Sequence, residues 1–305
     1  MSDVSNPNTF ASSMDVIAAI SRLFVYPVKS CAGVEVQQAI LTETGLEFDR
    51  AWMVVDGQGN FLTQRDLPRM ALVRPQLKYY EMVLRAPGML ALHIALDKVE
   101  LPVRVRVWGD DVAAYDMGPI AAQWFSDFLG IPARLVRFDP EQQRPCSRTW
   151  TGDTLALNQF SDGYPIMLIS QASLVNLNGK LVAAGHAPVG MERFRPNVVL
   201  GDVPQAGGTQ GLSAHDEDRI AALHIATEEG MVELRPVKPC QRCPIPNIDP
   251  TTAISHPAVT DMLQTYRQDA RVGGALTFGM NLILIKGIDH ELKIGQQMTA
   301  NYSFA

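Results

Sequence analysis

Two cysteines near the C-terminal end of the chain are the residues best suited to chemistry. They lie in the hexapeptide at 238–243, where Lys238 and Arg242 place positive charge beside Cys240 and Cys243. A neighbouring cation favours the thiolate, which is the form of cysteine that binds metals and attacks electrophiles. The motif therefore indicates a metal ligand or a reactive sulfur.

The motif by itself leaves several kinds of site open. They are a structural zinc site, an inert structural pair, a redox dithiol, a sulfur-transfer site and a site for another metal. A zinc site needs two more nitrogen or sulfur ligands, and no second histidine follows His256 at zinc-finger spacing. A redox dithiol usually opens a helix, whereas Pro239, Pro244 and Pro246 surround this pair and do not suit a helix interior. We therefore expect the motif to form a shaped loop.

The composition predicts a large core and excludes several classes of partner. The chain has 305 residues, of which 47% are hydrophobic, and this predicts one large or two ordinary domains. A net charge of −6 argues against a general binder of nucleic acids or anionic membranes. No apolar run reaches the roughly 20 residues of a membrane span. Four cysteines do not make a disulfide framework, so we expect a reducing, cytoplasmic compartment.

The hydrophobic pattern predicts many short strands and few helices. Segments 23–26, 52–55, 61–63, 103–107, 136–138, 197–200, 220–225, 231–234 and 281–285 have strand patterns. The second and third form a predicted hairpin around the Asp56-Gly57 turn, and the fourth alternates valine with arginine. Apolar residues at helical spacing predict helices at 121–129, 170–182 and 257–266. Short strands with isolated helices are typical of two β-rich domains, at least one of them a barrel.

A polar, turn-rich segment at 139–153 divides the chain. We predict a disordered tail at 1–15, a β-rich N-terminal domain at 16–140 and a second domain at 150–300. The tail is polar and lacks the basic start of a signal peptide. The cysteine pair therefore belongs to the second domain.

Polar residues also cluster where predicted strands begin or end. Lys29 and Ser30 follow the first strand, Arg50 precedes the next, and Arg195 and Asn197 precede the strand at 197–200. Arginine binds phosphate through two parallel hydrogen bonds, lysine binds it as a point charge, and backbone N–H groups complete the shell. We expect these residues to form a pocket for a phosphorylated ligand.

Together these motifs resemble the MOSC-domain molybdoenzymes, which include the mitochondrial amidoxime-reducing component and bacterial reductases of N-hydroxylated compounds. The resemblance runs in order along the chain, through segments 23–33, 45–52, 63–65, 162–165, 170–174, 194–197, 238–243, 249–250 and 278–281. It implies an α+β, β-rich fold, in which a MOSC-type N-terminal β domain packs on a MOSC β-barrel with a few helices. In that fold the molybdenum cofactor binds between the two domains.

The resemblance also implies the residues of the site. Cys243 matches the cysteine that ligates molybdenum and is the expected catalytic residue, while Cys240 is expected in the pocket wall. Asp49 and Asp162 are candidate proton donors. The positions that match the family's cofactor pocket are Lys29, Ser30, Arg50, Asp162, Gly163, Arg195, Asn197, Gln241 and Arg242.

The implied activity is that of a molybdenum-cofactor oxidoreductase that reduces N-hydroxylated compounds of the amidoxime or hydroxylamine type. The chain has no dinucleotide fingerprint and no cysteine set for an iron–sulfur cluster. We therefore expect electrons from a separate flavoprotein reductase acting with a ferredoxin, flavodoxin or cytochrome. The alternative is a molybdenum-cofactor handling or sulfur-carrier protein, with a persulfide on Cys243. Residues 244–248 differ from the threonine-rich stretch that the family usually has at this place. This segment is expected to line the substrate side of the pocket, so the sequence does not identify the natural substrate.

Overall fold

The computed structural model describes residues 15–98, 101–203 and 211–303, so residues 1–14 of the predicted tail lie outside the described residues. The elements up to residue 138 are β1 (Val16–Val25), β2 (Val34–Val36), β3 (Gln38–Thr42), β4 (Gly45–Leu46), β5 (Trp52–Val55), β6 (Arg74–Leu77), β7 (Glu81–Arg85), β8 (Leu92–Ala95), β9 (Leu101–Val107), β10 (Asp110–Asp116), α1 (Pro119–Leu129) and β11 (Arg134–Phe138). Those that follow are α2 (Arg148–Thr151), β12 (Ile166–Ser170), α3 (Gln171–Ala183), β13 (Val198–Gly201), β14 (Ile220–Ala226), β15 (Met231–Gln241), α4 (Ala258–Gln264), β16 (Gln268–Asp269), β17 (Ala275–Lys286), β18 (Glu291–Lys293) and β19 (Gln297–Tyr302).

All but one of the predicted elements are confirmed in type and position. Eight of the nine predicted strands coincide with β1, β5, β9, β11, β13, β14, β15 and β17, and the three predicted helices coincide with α1, α3 and α4. The predicted strand at 61–63 is wrong, because this segment forms only an isolated bridge between Phe61 and Val55. Helix α1 ends before Gly130, whose φ of 74° lies in the left-handed region. Helix α3 begins after Ser170, whose side chain accepts a hydrogen bond from the backbone N–H of Ser173.

The expected loop around the cysteines is wrong, because strand β15 continues to Gln241. Its partner is β17, and the pairing extends to Gln241 opposite Thr277. The register shifts after Pro236 and again after Pro239. Proline cannot donate to a ladder and is tolerated at such bulges, so the two prolines bend the strand without ending it. Cys240 therefore lies near the C-terminal end of β15, and Cys243 lies just beyond the strand.

Seven strands close into a barrel in the order β12, β13, β1, β19, β14, β15 and β17, and β17 pairs back to β12. Its core contains aliphatic side chains such as Leu23, Leu168, Leu234 and Leu282. Because β1 pairs with β13 and β19, the first strand of the described residues completes a barrel whose other strands follow residue 165. The predicted domain limits of 16–140 and 150–300 stay a prediction.

The rest of the N-terminal segment forms smaller sheets. One contains β5, β11, β10 and β9, and another contains β6, β7 and β8. Helix α1 packs Trp124, Phe125 and Phe128 into a core with Leu135 of β11. This β domain beside the barrel confirms the predicted α+β, β-rich class. None of the helices in the described ranges is long and apolar enough to cross a membrane.

Candidate functional site

A cavity of about 550 Å³ is lined by residues from both the barrel and the N-terminal β domain. All ten predicted site residues line it, and they are Lys29, Ser30, Arg50, Asp162, Gly163, Arg195, Asn197, Gln241, Arg242 and Cys243. The fold thus brings together residues that lie up to 214 positions apart, from 29 to 243. Their roles toward a ligand stay predictions.

The connection between β1 and β5 places Lys29 at the cavity. The backbone N–H of Lys29 donates to the carbonyl of Trp52 at 2.8 Å, which fixes the main chain. Its ammonium is buried and donates to the carbonyl of Phe160 at 2.7 Å and to Asp162 at 2.6 Å. Desolvation lowers the pKa of Lys29, and the neighbouring carboxylate of Asp162 opposes this shift. The two oxygens therefore stabilise a buried cation at the cavity wall.

Arg50 is held by three side-chain contacts. One of its terminal nitrogens donates to Asp49 at 2.5 Å and to Asn197 at 3.0 Å, and the other donates to the carbonyl of Arg195 at 3.1 Å. The Asn197 oxygen also accepts from the backbone N–H of Met167 at 3.1 Å. Asn197 therefore orients Arg50 and ties β12 to β13. Asp49 pairs with Arg50 and is not among the residues that line the cavity.

Arg195 and Arg242 form no salt bridge with a carboxylate among the described residues. Arg195 donates to the carbonyl of Cys31, and its guanidinium lies 4.3 Å from the centre of the Tyr26 ring. Desolvation and the nearby Arg50 lower the pKa of Arg195 to about 10, so it stays charged at neutral pH. The buried Nε of Arg242 has no hydrogen-bond partner within the described ranges. Unpaired cations of this kind favour an anionic ligand.

Cationic side chains dominate the cavity wall. Those in the described part of the wall are Lys29, Arg50, Arg65, Arg193, Arg195, Lys238 and Arg242, and Asp162 is the acidic residue among them. Desolvation acts to raise the pKa of Asp162, but the ammonium of Lys29 and the indole N–H of Trp108 outweigh it and lower the pKa well below its usual range. Asp162 is therefore ionised at neutral pH and has no proton to donate.

Four non-glycine residues of the cavity wall have left-handed backbone conformations. The φ angles are 63° at Ser30, 52° at Arg50, 56° at Trp108 and 58° at Arg195. A side chain in this region costs on the order of 1–3 kcal/mol, and such residues concentrate at functional sites. The surrounding fold therefore imposes these conformations, which orient three of the ten predicted residues.

The environment of the two cysteines differs from the sequence expectation. The guanidinium of Arg242 donates to the sulfur of Cys240 at 3.0 Å, so its charge lies beside that thiol. The ammonium of Lys238 lies 5.5 Å from the Trp150 ring and 5.9 Å from the Tyr164 ring. Cys240 and Cys243 are both half-buried and line the cavity. Within the described ranges, no three His, Cys, Asp or Glu side chains are placed to hold a metal ion.

Sequence reasoning missed part of the cavity wall. The additional lining residues are Thr63, Arg65, Trp108, Ser161, Tyr164, Met167, Arg193, Phe194, Lys238, Ala275 and Asn281. Ile245 and Pro246 also line the cavity, in the segment 244–248 that was expected to lie on the substrate side. Trp108 had a detectable signal, because it precedes Gly109 in the turn between β9 and β10. Tight hairpin turns with positive φ favour Gly, Asn and Asp, so a tryptophan at this position indicates a role other than forming the turn.

Gly163 offers a test of close ligand approach. A Cβ at this position would meet no atom within 4 Å, and the backbone is not left-handed. We expect Gly163→Ala to leave the free energy of unfolding unchanged, or to raise it by about 0.4–1 kcal/mol, because alanine reduces the conformational entropy of the unfolded chain. The added methyl group would occupy space beside a ligand, so retention of a bound cofactor should fall. Gly57→Ala, which is equally open but outside the cavity, is the control. Equal occupancy in both variants would show that the ligand does not approach Gly163.

Comparison with known proteins identifies the family of this chain. The profile of the MOSC N-terminal beta barrel domain matches residues 17–132, and that of the MOSC domain matches residues 157–299. Mitochondrial amidoxime reducing component 2 of Rattus norvegicus is 35% identical over 82% of this chain and 73% of its own length. Mitochondrial amidoxime-reducing component 1 of Homo sapiens is 33% identical over 83% of this chain and 73% of its own length. Molybdenum cofactor sulfurase of Homo sapiens is 28% identical over 87% of this chain and 30% of its own length. The chain therefore belongs to the MOSC family, together with the mitochondrial amidoxime reducing components.

Proposed function

We propose that this protein binds the molybdenum cofactor in the cavity and reduces N-hydroxylated compounds, such as amidoximes and hydroxylamines. The observation that carries the proposal is the cavity itself, where Cys243 lies in one wall with seven cationic side chains. Membership of the MOSC family supports the cofactor, and the similarity to the amidoxime reducing components supports the reaction.

The residues of the cavity fit this cofactor. A molybdenum cofactor carries a phosphate and two dithiolene sulfurs, so it is an anion. Its molybdenum can also bind a soft ligand such as a thiolate. Arg195 and Arg242 lack carboxylate partners among the described residues, and the Nε of Arg242 is buried without a hydrogen bond. Gly163 has no side chain, so a ligand could approach its backbone closely. An anionic ligand would offset the cost of these unpaired cations, and a thiolate suits a soft metal.

Each residue then has a proposed role. Arg195, Arg50 and Lys29 would hold the phosphate, with Asn197 orienting Arg50. Cys243 would supply the sulfur ligand. When bound, the cofactor would supply the two-electron redox chemistry, while the protein supplies binding, orientation and electrostatics.

The proposed reaction consumes two electrons and two protons, breaks the N–O bond and releases water with the reduced nitrogen compound. Asp162 does not serve as the proton donor, because Lys29 and Trp108 hold its carboxylate in the ionised form. Its role is to neutralise the buried ammonium of Lys29. The ion pair thereby keeps that side chain at the cavity wall.

We expect NADH or NADPH alone to support no turnover, because no dinucleotide fingerprint is present in the sequence. A reduced viologen should support turnover, since only the molybdenum site has to be reduced. The measurement is the conversion of benzamidoxime to benzamidine with each donor. Rapid turnover on a nicotinamide alone would contradict the need for a flavoprotein reductase with a ferredoxin, flavodoxin or cytochrome. Such a partner would dock transiently over a modest, polar interface.

A second candidate function follows from the similarity to molybdenum cofactor sulfurase. In that case the chain would handle the cofactor or carry sulfur, with a persulfide on Cys243. Metal and pterin analysis of protein from a molybdenum-replete host distinguishes the two. Stoichiometric molybdenum and pterin with viologen-driven turnover would support the reductase. Labile sulfane sulfur without metal would support the sulfur carrier.

A further inference from the structure

The proposed function uses only the indole N–H of Trp108, which binds Asp162, and gives its ring no role, although the residue lines the cavity. Trp108 lies in the turn between β9 and β10 and is 49% exposed. Trp52 and Trp124 are 0% and 7% exposed, as is usual for large aromatic side chains in a core. A half-exposed indole at a polar cavity leaves apolar area in contact with water that a ligand could cover.

Three neighbours hold the indole of Trp108 in one position. Its N–H donates to Asp162 at 3.1 Å. The guanidinium of Arg65 lies over the ring at 4.6 Å from its centre, and the Phe61 ring lies 5.1 Å away at 58°. Since the only N–H of the indole is occupied, the side chain still offers a ligand the part of its ring surface that Arg65 and Phe61 leave exposed.

The turn that carries Trp108 is also anchored to the segment at 158–161. The buried Arg144 binds Asp110, at the start of β10, at 2.8 Å. The same guanidinium donates to Asn158 at 2.6 Å and to the carbonyl of Ser161 at 2.7 Å, next to Asp162. Arg144 is therefore a positioning residue that links the turn to the loop before Gly163. A surface held in this way loses little freedom when a ligand binds.

We propose that Trp108, steadied by Arg65, is the stacking site for the flat, conjugated body of the substrate. The inference rests on the proposed function and specifies its substrate class, namely aromatic N-hydroxylated compounds rather than aliphatic ones. A flat conjugated ring that lies on an indole is attracted to it by dispersion and by the quadrupoles of the two rings. A compact aliphatic chain is attracted less strongly. The strained φ of 56° at Trp108 agrees with a side chain retained for binding.

The test compares two substrates with the same reacting group, benzamidoxime and acetamidoxime, in viologen-driven turnover by the molybdenum-loaded protein. In Trp108→Ala we expect the KM for benzamidoxime to rise roughly two- to tenfold, the size of an aromatic pair contribution. The kcat for benzamidoxime and the KM for acetamidoxime should stay unchanged. Trp108→Phe keeps a ring and should remain close to the wild type. Tyr79→Ala, which removes an 86% exposed ring away from the cavity, is the matched control.

A binding measurement tests the inference without turnover. Benzamidoxime should quench part of the tryptophan fluorescence of the wild-type protein, and this quenching should be lost in Trp108→Phe. Equal changes in KM for the two substrates, or pterin loss in Trp108→Ala, would overturn the inference, because the indole would then support the fold or the cofactor. If the loaded wild-type protein reduces neither substrate, the proposed function fails, and the fluorescence titration still decides whether Trp108 stacks on aromatic compounds.

Discussion

Cys243→Ala should reduce the turnover of N-hydroxylated substrates to background while the fold is retained. The thiolate is the expected metal ligand, and no neighbouring side chain can supply a sulfur from the same position. Cys243 is half-buried just beyond β15, so loss of its sulfur should change the free energy of unfolding by less than about 1.5 kcal/mol. Viologen-driven reduction of benzamidoxime and far-UV circular dichroism measure the two effects.

Two other cysteines serve as controls for this variant. Cys146→Ala removes a buried thiol that does not line the cavity and should keep full activity. Cys240→Ala removes the thiol that Arg242 contacts, and it tests whether the neighbouring sulfur is needed. Wild-type turnover in Cys243→Ala would exclude Cys243 as the metal ligand.

Arg195→Ala should weaken the retention of the cofactor strongly. A hydrogen-bonded contact between arginine and phosphate contributes about 1.5–3 kcal/mol, which corresponds to roughly a 10- to 150-fold change in affinity. Arg195→Lys should restore only part of the retention, because lysine keeps the charge and loses the planar fork. Pterin and molybdenum per protein, measured after extended dialysis, report the change.

Arg104→Ala is the matched control for the arginine variants. Arg104 pairs with Asp111 on the surface of the β9–β10 hairpin, where both side chains are about 60% exposed. Exposed pairs contribute about 0–1 kcal/mol, so cofactor retention should not change. Full pterin occupancy in both Arg195 variants would show that Arg195 has a structural role only.

Local patterns were sufficient to predict eight of the strands and three of the helices among the described residues. Alternation of valine with arginine predicted β9, where Val105 and Val107 are buried and Arg104 and Arg106 are exposed. Spaced aromatic residues and Gly130 predicted α1 and its end. These signals are reliable because side-chain periodicity and left-handed caps depend on residues close in sequence.

The sequence by itself also determined which residues could form the site. The ten predicted positions all lie in one cavity. They could be predicted because the segments that carry them match a family in order along the chain. Only the tertiary structure decided how they are presented. Pairing with β17 extended β15 through Cys240, where prolines alone predicted a loop.

Long-range contacts decided the remaining features. The place of β1 in the barrel depends on partners about 180 and 280 residues away, and no local pattern encodes such pairing. The same holds for Trp108, which reaches the cavity because Asp162 and Arg65 hold it there. The left-handed conformations of Ser30 and Arg195 follow from the packing around them, since neither residue prefers that region. Residue types thus determined the available chemistry, and tertiary contacts determined its geometry.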